Sequence, residues 1–187
     1  MPFDKVTSLS LYKKLKSGRT SYFNELFERA YVLKKSIDSS DELILISDGD
    51  LVRFFESKIA QVLFHASEIN SEDFLCGTYI AKLLSSVVDK LPHSLYVVDY
   101  IVEGVETGNF LSIRNGADLC FLFCSLFKER ASHRSMNLRD YEIMGAGLYY
   151  QYYSATSREV GYYMSKKFNV MAEVTRESVA SLNVNSH

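Results

Sequence analysis

The chain has 187 residues, 47% of them apolar and 24% charged, with a formal net charge of −2. That apolar content excludes a disordered chain, and a domain of this length buries roughly 70% of its unfolded surface, so it needs no disulfide or metal to fold. The small net charge gives no global electrostatic pull toward nucleic acid or an anionic membrane.

Apolar residues recur at three- and four-residue spacing along most of the chain, the mark of amphipathic helices. Leu9, Tyr12 and Leu15 predict a short helix with Lys13, Lys14 and Lys16 outside. Phe23, Leu26, Phe27, Ala30, Leu33 and Ile37 predict a second over about 21–37. Residues 1–35 hold eight Lys or Arg against three acids, whereas residues 36–110 hold four against thirteen. The lysine spacing is that of a solvated helix face packed beside this acidic middle, and the acidic middle argues against nucleic acid as a partner. Glu42–Ile46 reads as a short buried helix or a strand, and the absence of a visible partner strand favours the helix.

Asp50 is placed to cap a helix to about Ala66 with the stripe Leu51, Phe54, Phe55, Ile59, Val62 and Leu63. Asn70 or Ser71 caps the next, to about Lys90, carrying Phe74, Leu75, Ile80, Leu83, Leu84, Val87 and Val88. After Pro92 a helix with Leu95, Val98, Ile101, Val102 and Val105 as its buried face ends at Gly108. Phe110–Ile113 forms a turn of its own. From about Gly116 the pattern is nearly all apolar, with Leu119 to Phe127 apolar on every side, which predicts a central helix ending near His133. Asn137 caps a helix carrying Leu138, Tyr141, Met144, Leu148, Tyr149 and Tyr152. Thr156 and Glu159 match a capping box for another, lined by Val160, Met164 and Phe168, and Val174, Val179 and Leu182 mark a last one. The expected fold is therefore all-α, a compact bundle of about eight helices with short, mostly antiparallel connections. It is read as one domain over 1–187, with mobile end segments at 1–7 and 183–187.

Three cysteines, Cys76, Cys120 and Cys124, are an odd count without framework spacing, which argues against a secreted disulfide scaffold. Cys120 and Cys124 share a helix face, but two thiolates make half a zinc site, so core packing is the simpler role. The longest apolar-rich run, Leu119–Phe127, is far shorter than the about 20 residues of a membrane span. No apolar signal core lies between Met1 and Leu15, and the chain reads as cytoplasmic. No catalytic triad, di-iron or phosphate-loop motif occurs, so no catalytic residue, metal or cofactor is assigned.

Two features stand out. Tyr149, Tyr150, Tyr152 and Tyr153 cover more than one face of a helix, so part of the cluster must leave the core. Lys128–Arg134 places His133 among Arg130 and Arg134. Arginine forks bind carboxylates or phosphates, and neighbouring cations favour a neutral His133; the same residues also suit a solvated helix C-terminus. Gly145 and Gly147 within a helix point to close approach of another helix. The leading expectation is a non-enzymatic protein that binds itself or another protein. The alternative is a small-molecule binder or enzyme whose inter-helix pocket is lined by Tyr149, Tyr152 and Tyr153, with Arg130, His133 or Arg134 as its polar anchor.

Overall fold

Helical spacing of apolar residues gives helices over most of the described residues. A computed structural model describes residues 48–66, 70–90, 92–127 and 136–184, all within one compact unit, Ile46–His187. It holds helices α1 (Asp48–Ala66), α2 (Ser71–Asp89), α3 (Val97–Thr107), α4 (Phe110–Leu126), α5 (Leu138–Thr156), α6 (Glu159–Lys166) and α7 (Phe168–Val184), with no strand among the described residues. The architecture is all-α. The predicted helices over residues 9–15 and 21–37, the segment Glu42–Ile46 and the basic segment Lys128–Arg134 lie outside the described residues.

Polar side chains set several of the helix starts. Asn70 Oδ1 accepts from the N–H groups of Glu72 and Asp73, both at 3.1 Å, and the Asp73 carboxylate accepts in return from Asn70 N–H. Asn137 and Asp140 form the same reciprocal box at the head of α5. Each such cap is worth about 1 kcal/mol. Lys167, between α6 and α7, reinforces the first box from a distance: its ammonium lies 2.7 Å from Asp73 Oδ1 and 3.1 Å from Glu72 Oε2.

Several boundaries differ from expectation: the helix expected after Pro92 begins only at Val97, α4 ends at Leu126 instead of near His133, and three more have a clear local cause. α1 begins at Asp48, so Asp50 lies inside the helix and does not cap it. Phe110–Ile113 is no separate turn but the start of α4, because Asn109 accepts from Leu111 N–H and caps the helix there. The Thr156–Glu159 capping box does not form. Thr156 Oγ1 instead donates to the carbonyl of Tyr152 at 2.7 Å, one turn back, as a helical threonine often does. Ser157, in the left-handed region at φ 55°, ends α5, and Arg158 stands at the head of α6 without a side-chain cap.

α4 is the central helix, as its all-round apolar pattern predicts. Every residue from Gly116 to Ser125 is buried. It packs most extensively against α5 and also against α3 and α7, while α1 pairs with α2 and α7 crosses α1. Phe55 and Ile59 of α1, Cys76 and Ile80 of α2, Phe121 of α4, Tyr149 of α5 and Met171 of α7 are core residues, and all three cysteines are buried free thiols.

The clearest departure is α3. The expected inward face was Leu95, Val98, Ile101, Val102 and Val105, of which Leu95 is buried. The helix instead buries Val97, Tyr100 and Gly104, leaving Val98 58%, Val102 46% and Val105 68% exposed. Glycine explains the choice. A Cβ on Gly104 would stand 2.5 Å from Ile113 Cδ1, and one on Gly116 of α4 would stand 3.2 Å from Tyr100 Cβ. Two side-chain-free positions let α3 and α4 approach closely, and Tyr100 secures the orientation by hydrogen bonds to both backbone groups of Ser94. Of the α2 residues expected inside, Phe74 and Leu75 are likewise exposed.

Candidate functional site

From Ile143 to Ser157, α5 and the residue after it carry no charged residue, between Glu142 and Arg158. Helical geometry divides the tyrosines of this run between two sides. Tyr149 and Tyr152 point inward and are buried, while Tyr150 is 51% exposed and Tyr153 is half-buried beside it.

The inward side is fixed by one carboxylate. Asp118 of α4 is buried, and its Oδ1 accepts from Tyr149 Oη at 2.7 Å and from Tyr79 Oη of α2 at 2.5 Å. Arg114, one turn earlier on α4, places Nε 3.7 Å from Asp118 Oδ2 and its guanidinium 6.0 Å from the centre of the Tyr152 ring. Burial pushes the Asp118 carboxyl up from the usual carboxylate range, opposed by the two hydroxyl donors and by Arg114. Burial, with the Asp118 charge beside them, raises both tyrosine hydroxyls well above their usual value. A hydroxyl held this way keeps its proton at neutral pH. The cluster is a tie between α2, α4 and α5, and it sets the rotation of α5.

That rotation turns the other tyrosines out. Tyr150 and Tyr153 have ring centres 6.1 Å apart, Tyr153 and Tyr162 of α6 are 5.3 Å apart, and Tyr162 and Tyr163 are 5.4 Å apart. Gly161 makes this row possible. A Cβ there would meet the Tyr149 carbonyl oxygen at 2.9 Å, so only glycine lets α6 lie this close to α5. Lys166 caps the row, its ammonium 5.7 Å from the Tyr162 ring centre. Ile143, 64% exposed, extends the strip along α5. Gly145 is explained inside, since a Cβ would stand 2.5 Å from Phe168 and 2.7 Å from Cys120. Gly147 is not: it faces outward with nothing within 4 Å of an added Cβ.

Of the residues singled out in the sequence, Arg130, His133 and Arg134 lie outside the described residues, Tyr149 and Tyr152 are interior, and Tyr153 belongs to the surface row. Tyr79, Asp118 and Arg114 were not singled out, whereas Tyr150 was named as a member of the tyrosine cluster. Asp118 carried a readable signal, being the only charge between Asn115 and Phe127 with an arginine one turn before it. Tyr79 carried none. Among the described residues, no group of three or more His, Cys, Asp or Glu side chains could hold a metal ion, and no helix is long and apolar enough to cross a membrane. No family model, curated protein or solved structure matches the chain.

Proposed function

We propose that this chain is a non-enzymatic binding protein that associates with a second copy of itself through the outer face of α5 and α6. The observation that carries the reading is the surface row of tyrosine rings that starts on the uncharged run of α5 and continues onto α6. Interface cores are depleted of charge and enriched in tyrosine, and such rings supply large contact area for few frozen torsions. The ends of the face favour a copy as partner. Glu142 precedes the uncharged run and Arg158 follows it. A two-fold axis across α5 runs two copies antiparallel and brings each glutamate toward the other copy's arginine.

Light scattering on the full chain over a concentration series tests this. The mass should rise from monomer toward dimer with concentration. Ile143→Ser with Tyr150→Ser, both at exposed positions, should hold the chain monomeric while leaving its helical circular dichroism unchanged. A wild-type chain that stays monomeric to its solubility limit, or a double variant that associates equally well, refutes the proposal.

A further inference from the structure

α3 is apolar on two sides, and the fold uses only one. Val97, Tyr100 and Gly104 face α4, the element against which α3 chiefly packs. Val98, Val102 and Val105 fall at the i, i+4, i+7 spacing of a second stripe, and all three are exposed. Tyr96, just before the helix, is 64% exposed, and Leu111, just beyond its end, is 52% exposed. Such a stripe matches what an amphipathic helix presents to a partner helix.

The charges around the stripe select the partner. Asp99, Glu103 and Glu106 are the charged residues of α3, and no cation stands among them. At 100° per residue, Asp99 and Glu106 flank the valines on one side. Glu103 lies beyond them, 3.8 Å from His93. A second copy would set acid against acid, and an anionic lipid surface or a nucleic acid would be repelled in the same way. A complementary occupant has apolar side chains to meet the valines and Lys or Arg to meet the acids. We infer that α3 is a docking face for a cationic amphipathic helix of another protein, seated on Val98, Val102 and Val105 and steered by Asp99 and Glu106. This face is separate from the tyrosine row and does not depend on self-association.

The test is fluorescence anisotropy of the full chain with a labelled helical peptide of about 18 residues, leucines on one face and lysines flanking them. Two control peptides replace lysine by glutamate or scramble the leucine face. Saturable binding of the lysine peptide alone is expected. Val102→Glu should weaken it at least about tenfold, because it buries an unpaired charge and adds an acid to the centre of the stripe. Val98→Ser with Val105→Ser should weaken it too, and Asp99→Asn with Glu106→Gln should weaken it several-fold and flatten its salt dependence. These positions are exposed or half-buried, and unchanged helical circular dichroism would show that folding is intact. Absence of saturable binding, equal binding of the glutamate or scrambled peptide, or indifference to Val102→Glu overturns the inference. A loss of self-association in Val102→Glu also overturns it, since that would place a second copy on α3.

Discussion

Replacing Asp118 by alanine should be among the most damaging single changes in the described part of the molecule. The variant removes the acceptor of two hydroxyl hydrogen bonds, from Tyr149 at 2.7 Å and Tyr79 at 2.5 Å. Stranding a buried hydroxyl costs roughly 1–3 kcal/mol, so losing the acceptor of both costs about 2–6 kcal/mol. The Arg114 contact adds little, because its side chain is 33% exposed and water screens it. Domains of this size are stable by roughly 5–15 kcal/mol, so Asp118→Ala would consume much of the margin. Tyr149→Phe removes one donor and leaves the carboxylate with Tyr79 and Arg114, for a loss of about 1–2 kcal/mol. The decisive comparison is Asp118→Leu combined with Tyr79→Phe and Tyr149→Phe. That variant leaves no orphaned hydroxyl and should be more stable than Asp118→Ala, since stranding a polar group costs more than deleting the whole set. Urea unfolding followed by circular dichroism measures all three. If Asp118→Ala lies within about 1 kcal/mol of wild type, or the triple variant is the least stable, the carboxylate is not the tie described above.

The two glycines of α5 should respond with opposite signs. Gly145→Ala should destabilise by about 1–3 kcal/mol, because its Cβ would overlap Phe168 and Cys120, whereas Gly147→Ala, with open space around it, should stabilise by up to about 1 kcal/mol in thermal unfolding. All three thiols should resist a thiol-specific disulfide reagent at pH 8 in the native state and react only on unfolding: burial pushes Cys76 and Cys124 up to about 12 and Cys120 upward as well. One fast-reacting native thiol would contradict this. Asp118 makes the pH dependence run opposite to that of a typical paired acid. Its folded pKa is raised, so its contribution is fullest below the unfolded value of 3.8 and declines as pH rises through the folded pKa. The stability gap between wild type and Asp118→Asn should therefore shrink from pH 4 toward neutrality, and a gap that widens would reverse the assignment.

Much of the helical plan was legible in the sequence, because the rules that place helices are local. Asn70 with Asp73 and Asn137 with Asp140 mark their starts through side chains three residues apart. Gly108, at φ 67°, marks the end of α3 by backbone geometry alone. α4 was recognisable as central from its all-round apolar surface. The facing of α3 was not legible, since valine outweighs tyrosine and glycine on any apolar pattern. The decision came from a contact across space, where Gly104 and Gly116 let two helices close together. The same limit hid the Asp118 cluster. Tyr79 and Asp118 are 39 residues apart, and nothing local says that one hydroxyl will point at that carboxylate. The tyrosine cluster could be seen to split, but which rings went inward depended on the same carboxylate.

The two outward faces differ in the strength of binding they can support. Fully burying a valine yields about 1.5–3 kcal/mol, and those of α3 are already partly covered, so Val98, Val102 and Val105 together supply no more than about 5 kcal/mol. Immobilising a partner costs 4–15 kcal/mol, so the stripe alone barely breaks even. Tyr96, Leu111 and the acidic flank must supply the surplus, which points to a weak, salt-sensitive and rapidly exchanging contact. α5 and α6 present Tyr150, Tyr153 and Tyr162 together with Ile143, and a two-fold axis uses each of them twice. Self-association through the tyrosine face should therefore be the tighter and less salt-dependent of the two.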